Sequence, residues 1–344
     1  SSIWQAGVSA ARLEEKIALA MEAEDAALAV AGVDTVEESV YSDEEERIAI
    51  ASTRGLEVET ERTYCYVYVI AHAGSGADRQ SGLGFSTGRE PADLDAPLSG
   101  RRAAEKALGL VGARPCRTGS YTVVIDREVA AALMSRLVEA LSSEAVQKGR
   151  SVFAGKQGEA IASSLLTLVD DGLDPDGLGT SPFDGEGVAQ QRTALVEAGV
   201  LRSYLFDTRS ARREGGEARS TGSARRSSYR SLPHVGPSNL VIEPGVGTLE
   251  EVFGRVKEGL YVQSVAGLHS GVNPLSGEIS LGVTGRLIEG GSLGAPVREV
   301  TIATDFSNLL SGICDLGGDA RWIPLYGSVY APSLVLGEVA VSGT

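Results

Sequence analysis

The chain holds three histidines, His72, His234 and His269, and three cysteines, Cys65, Cys116 and Cys314. A helical zinc site of the HExxH type needs two imidazoles about one turn apart, so that both project from one helix face toward one ion. No two of these histidines have that spacing. The cysteines form no CxxC pair, and the chain has neither a GxSxG elbow nor a Walker loop. His72 continues the aromatic face of a strand and reads as structural. Cys65 falls in an expected strand and Cys314 in an expected helix, and both read as core residues.

Two polar loops concentrate the remaining candidates. TSPFDGEGVAQQR carries Asp184 and Glu186. Paired carboxylates can share acid–base work, although Asp and Gly before a strand ordinarily just make a turn. GLHSGVNPLSGEISLG gathers His269, Asn273, Ser276 and Glu278 between two expected strands. Polar groups at that density on a rigid β scaffold suit binding. A long turn tied by Asn and Ser side chains accounts for them equally well.

These loops depend on the elements around them. SAARLEEKIALAMEAEDAALAVA (9–31) predicts a helix with Leu13, Ile17, Ala20, Met21 and Ala27 on one stripe. RIAIAST is a β-like piece. Residues 63–72 alternate, with Tyr64, Tyr66, Tyr68, Ile70 and His72 on one face and Thr63, Cys65, Val67, Val69 and Ala71 on the other. AGSGADRQSGLGFSTG (73–88) reads as a hairpin loop, and 99–109 as a short helix. After LVGARPCRTGSY the pattern changes. YTVVI is a strand, and Asp126 caps the helix EVAAALMSRLVEALSSEA, with Leu133, Met134, Leu137, Val138 and Leu141 on one face and Ser135, Arg136 and Glu139 largely off it. TALVEAGVLRSYLFD is a hairpin turning at Glu197-Ala198-Gly199. SNLVIEP and GLYVQSVAG are strands flanking a helix, TLEEVFGRVKEG, with Thr248 and Glu251 in capping-box spacing and Gly259 at its end. EISLGVTGRLIEGG and APVREVTIATD read as two hairpin-like segments, DFSNLLSGICDLGG as a helix capped by Asp305, and SLVLGEVAVSG as a closing strand.

The fold expected is α+β: an N-terminal α/β-type domain over residues 1–115, and a larger β-rich, barrel-like domain with a few helices over 116–344. The 43 glycines, spread rather than clustered, fit many tight turns between strands. Aromatics at 5% leave the core to Val, Leu, Ile and Ala. A formal charge of −15 opposes direct contact with a nucleic acid backbone. The acidic run VEESVYSDEEER reads as a solvated face or loop. No apolar run reaches the length of a bilayer span, and the start carries no basic-then-apolar signal pattern. Unpaired, scattered cysteines point to a reducing compartment, so the expected location is cytoplasmic, with no membrane association.

Several segments, in order, resemble the TldD/PmbA family, also described as modulators of DNA gyrase. They are ERTYCYVYVIAHAG, SPFDGEGVAQQRTALVEAGVLRSYLFDTRSARREG (181–215), STGSARR (220–226), GVNPLSGEISLGVTGRLIEGG (271–291) with PVREVTIATDFSNLL (296–310), and the terminal PSLVLGEVAVSG. The resemblance covers nearly the whole chain and implies a first domain shortened relative to the family. It also implies one of two subunit types. The TldD type carries HExxxH on a helix and a C-terminal cysteine that completes a zinc site. The PmbA type, also called TldE, lacks these ligands. The two are held to pair in a complex that cleaves unfolded or modified peptides, with the peptide lying as an added strand.

The stretch LMSRLVEALSSEAVQKGRSVFAGKQGEAI (133–161) stands where the TldD type has HExxxH. It offers Glu139 and Glu144 but no histidine, and GGDARWIPLYGSVYAPS has no cysteine where the third ligand would lie. A lone carboxylate does not hold zinc usefully. The resemblance therefore implies a PmbA/TldE-type subunit with no catalytic residue, metal ligand or cofactor of its own. The zinc would lie in a TldD-like partner. The chain would form a heterodimer with that partner, or a homodimer, around an extended peptide. The rival reading is a self-sufficient hydrolase or metal enzyme built on the His269–Asn273–Glu278 loop, with His234 or Asp184. A third takes the gyrase description literally, and the acidic charge opposes it.

Overall fold

The computed structural model describes residues 3–344. The chain forms two compact units, one ending at Arg114 and the other beginning at Pro115.

The first unit contains α1 (Gly7–Ala10), α2 (Leu13–Leu28), β1 (Val33–Ala51), β2 (Glu57–Ala73), β3 (Gln80–Gly88) and α3 (Ala96–Leu108). The strands form an antiparallel sheet in the order β1-β2-β3. The alternation read along β2 holds: Thr63, Cys65, Val67, Val69 and Ala71 are buried, and Val67, Val69 and Ala71 pack with Ala23, Ala27, Ala96 and Ala103 of the helices. On the other face Tyr64, Tyr66 and Tyr68 form a ladder with ring centroids 5.5 and 6.1 Å apart.

Three expectations change here. The acidic run is strand β1, not a loop. Its side chains find cross-strand partners, with Glu46 paired to Arg62 and Arg47 to Glu59 and Glu61. The second half of the expected loop 73–88 is strand β3. Its glycines let α3 lie directly on it, since a Cβ on Gly84 would sit 1.9 Å from the Ser99 carbonyl oxygen and one on Gly82 would sit 2.1 Å from that of Ala103. The stripe expected to bury α2 does so only in part: Ala27 is buried and Ala20 half-buried, but Leu13, Ile17 and Met21 face solvent, exposed at 68, 49 and 57%. The helix packs through Ala23 and Ala27 because a Cβ on Gly100 of α3 would come within 2.0 Å of the Ala23 carbonyl, an approach that large side chains would block.

The second unit follows with β4 (Gly119–Ile125), α4 (Arg127–Ala140), α5 (Ser143–Gln147), β5 (Leu168–Asp171), β6 (Arg192–Glu197), β7 (Val200–Leu201), α6 (Thr208–Glu214), β8 (Ala224–Arg225), β9 (His234–Val235) and β10 (Leu240–Ile242). It continues with α7 (Leu249–Val256), β11 (Gly259–Ala266), α8 (Leu268–Gly271), β12 (Glu278–Glu289), β13 (Ser292–Asp305), α9 (Phe306–Ser311), β14 (Ile313–Leu316), β15 (Arg321–Ile323), β16 (Val329–Ala331) and β17 (Leu334–Ser342). Strands β13-β12-β11-β4-β17 close into a five-stranded barrel through the pairing of Thr301 with Ser342 and Ile302 with Val341. Closure removes the free sheet edges. A second sheet runs β15-β16-β10-β5-β6-β7, and β8 pairs with β9 alone. The α+β architecture with a barrel-like second half is therefore the one expected.

Local chemistry explains several boundaries. Ala198 and Gly199 turn the β6–β7 hairpin at positive φ. Thr248 and Glu251 make the capping box read from their spacing. That helix ends earlier than expected, at Val256, with Lys257 rather than Gly259 in the left-handed region, and Gly259 opens β11. The two segments read as separate hairpins are β12 and β13, paired with each other. Cys314 lies in β14, not in a helix, because α9 stops at Ser311, and it is exposed rather than part of the core. The long helix expected after Asp126 breaks at Leu141–Ser142, where Ser142 caps α5. Among the described residues no helix is long and apolar enough to cross a membrane.

Candidate functional site

The site is built on α4. Barrel strand β4 delivers Asp126 to the helix start, where one carboxylate oxygen accepts from the Glu128 amide at 2.8 Å and the other from the Tyr261 hydroxyl. Burial, then the facing carboxylate, pushes the Tyr261 phenol well above its ordinary value, so it keeps the proton it donates to Asp126. Arg127 donates to the Asp319 carbonyl at 3.0 Å and pairs with its carboxylate at 3.3 Å, and Arg321 pairs with Glu128 at 2.8 Å. These largely shielded pairs fix the first turn. Val129 to Met134, Leu137, Val138 and Ala140 are buried. The face read as apolar is indeed the packed one, and Ser135, Arg136 and Glu139 are the residues left to face outward.

They face a groove of about 570 Å³. Its other walls come from Arg225 and the run His234–Pro237, with Leu268, Tyr326 and Gly327. Ser135 donates to the Tyr326 carbonyl at 2.8 Å. Arg136 sits at the centre of the polar part. It pairs with Glu139 at 2.7 Å and donates to His269 Nδ1. A guanidinium has donors only, so His269 Nδ1 must accept and carries no proton there.

The remaining candidates are engaged locally. Asn273 Oδ1 accepts from the amides of Leu275 at 2.9 Å and Ser276 at 3.3 Å, and Ser276 donates to Glu278 at 3.1 Å. Ser276 and Glu278 line a second cavity, of about 330 Å³, with Val152, Lys156 and Asp305. His269 makes its contact with α4 instead. Asp184 is buried and accepts from the amides of Glu186, Val188 and Ala224 at 2.9 to 3.0 Å. Burial raises its carboxyl above the usual range against those donors. Glu186 accepts from the Thr208 amide at the start of α6, 2.8 Å away. Both carboxylates thus hold turns and a helix end.

Zinc does not fit this donor set. Among the described residues no three His, Cys, Asp or Glu side chains are grouped to hold an ion. His269 Nδ1 and Glu139 both face the Arg136 guanidinium, a fixed positive charge. Cys314 lies apart on β14, its thiol raised by burial and then by Asp315. Sequence reasoning placed Arg136 off the apolar face but gave it no role, and it missed Arg225 and Tyr326. The one local signal was a charged pair at i, i+3 on the open face of a buried helix.

Two family profiles cover most of the chain. The PmbA/TldA metallopeptidase central domain matches residues 8–111, and the PmbA/TldA metallopeptidase C-terminal domain matches 118–343. The chain belongs to the PmbA/TldD family. A metalloprotease of Methanothermobacter thermautotrophicus is 31% identical over 286 residues, which is 82% of this chain and 62% of that protein. The crystal structure of a Thermotoga maritima protein, described as a candidate modulator of a DNA gyrase, superposes with a TM-score of 0.92 at 30% identity and covers 99% of this chain and 77% of its own. TldE from Thermococcus kodakarensis shares the fold, with a TM-score of 0.89 at 24% identity, over 99% of this chain and 76% of its own. The chain spans 33 to 62% of the length of the first curated relatives it matches.

Proposed function

We propose that this chain is a non-catalytic subunit of the PmbA/TldE type within a PmbA/TldD metallopeptidase complex. Its role would be to support a TldD-like partner and wall off the peptide channel. The observation that carries the reading is Arg136: where the zinc-bearing type has metal ligands, this helix offers a guanidinium that engages His269 and Glu139. The zinc and the hydrolytic chemistry would belong to the partner, in a heterodimer, and this chain would hold extended peptide by main-chain pairing. The two units would act as two domains with their boundary in the sequence near residue 115. A cytoplasmic setting is supported by three cysteines that are all free.

The decisive experiment is metal content of the isolated chain after dialysis against zinc, paired with peptide turnover before and after addition of a TldD-like subunit. The reading expects no stoichiometric zinc, no turnover alone, and turnover on reconstitution. Tightly held zinc, or turnover by the chain alone, would overturn it and favour the rival hydrolase of the His269–Asn273–Glu278 loop. Glu139→Ala is expected to leave turnover by the reconstituted complex nearly intact.

A further inference from the structure

The chain carries a net charge of −15, yet the basic side chains lining the α4 groove are Arg136, Arg225 and His234 against the single carboxylate of Glu139. A basic groove in an acidic protein concentrates anions. Its walls are otherwise apolar, with Ala132, Val138, Val235, Pro237, Leu268 and Tyr326, which matches the balance of a ligand site rather than a solvated surface. The chemistry at its centre is already displayed. Glu139 Oε1 lies 2.7 Å from Arg136 Nη1, so the guanidinium accepts a carboxylate from the groove side. Its contacts to Glu139 and His269 leave three of its five N–H donors for a ligand. Beside it runs β9, which among the described residues is paired on one side only, to β8.

We propose that this groove binds the free C-terminal carboxylate of an extended peptide, with Arg136 as the principal anion donor and β9 as the main-chain guide. The site would therefore recognise peptide ends. Arg136 is suited to this because a planar guanidinium meets a carboxylate with two parallel hydrogen bonds. Glu139 occupies part of that donor fork and is displaced when the ligand carboxylate arrives. The apolar walls take the last side chain with little selectivity among Ala, Leu and Val. The inference rests on the reading that this chain handles peptide, and it adds which end of the peptide is held.

The test uses the full chain and an N-terminally fluorescein-labelled heptapeptide of Ala, Leu and Ser, made with a free C-terminal acid, with a C-terminal amide, or as the amide carrying one internal Asp. Binding is read by fluorescence anisotropy. The acid is expected to bind about 10- to 100-fold more tightly than either amide. Arg136→Gln should abolish that preference. Glu139→Gln should tighten acid binding several-fold by removing the competing charge. Equal binding of acid and amide by the unaltered chain, no binding of the acid, or a preference that survives Arg136→Gln would each overturn the proposal. So would an Asp-containing amide that matches the acid, or inorganic phosphate that displaces it at equal concentration. Zinc content of the same sample separates failure of this inference from failure of the subunit reading, since the latter alone would show metal.

Discussion

Asp170 provides a quantitative test of the second unit. It lies on β5 and is only 2% exposed. Its Oδ1 accepts from the Ser238 amide at 2.6 Å and the Asn239 amide at 3.0 Å. Those bonds and the Arg225 charge favour the carboxylate, but burial outweighs them and pushes the group from its ordinary 3.8 up to about 6. That difference corresponds to about 3 kcal/mol of differential stability. The native carboxyl holds its proton to higher pH than the unfolded one. Its favourable contribution is therefore complete below about pH 4 and is lost as pH rises through about 6. Asp170→Asn keeps an oxygen acceptor for both amides and cannot ionise. Urea unfolding of both proteins at pH 4, 5, 6 and 7 cancels every other titrating group in the difference. The advantage of the parent over the Asp170→Asn variant should shrink by about 2 kcal/mol between pH 4 and 7. A difference that does not vary with pH would refute the reasoning, because burial would then not be the dominant influence on this carboxyl.

Other outcomes follow from the same structure. Gly84→Ala drives a methyl into the Ser99 carbonyl and should lower stability by about 1–3 kcal/mol as α3 is pushed off β3, measured by denaturant unfolding. Thr248→Ala removes the side-chain acceptor for the Glu251 amide and should cost about 1 kcal/mol, whereas Thr248→Ser should restore most of it. Leu137→Ala, at a fully buried position on α4, should cost about 2–5 kcal/mol and shift the thermal midpoint accordingly. Cys65, whose thiol burial and then nearby carboxylates push up to about 12, should resist iodoacetamide at pH 8 until the chain unfolds, while the exposed Cys314 labels first.

What the sequence disclosed depended on how far apart the interacting residues lie. The alternation of β2, the Thr248 capping box and the packed face of α4 were readable because each is fixed within a few neighbours. Strand β3 was hidden because its glycines look like a loop until α3 is laid across them. The acidic β1 was hidden because its carboxylates are matched by residues of β2, well outside any local window. The groove was the least readable part. Arg136 and His269 are 133 residues apart in sequence, and the parallel pairing of β11 with β4 is what brings α8 beside α4. The Arg136–His269 contact at the centre of the site is therefore one that no spacing rule contains.

The outward stripe of α2 has a consequence for handling the protein. Leu13, Ile17 and Met21 make an adhesive strip on a chain that stays dispersed mainly by mutual repulsion of its negative charge. That repulsion is long-ranged in dilute buffer and shrinks to a few ångströms in molar salt, while the strip's attraction strengthens under salting-out ions. The two act in opposite directions along one axis of solution composition. Ionic strength therefore shifts the balance between repulsion of the net charge and attraction at this helix face.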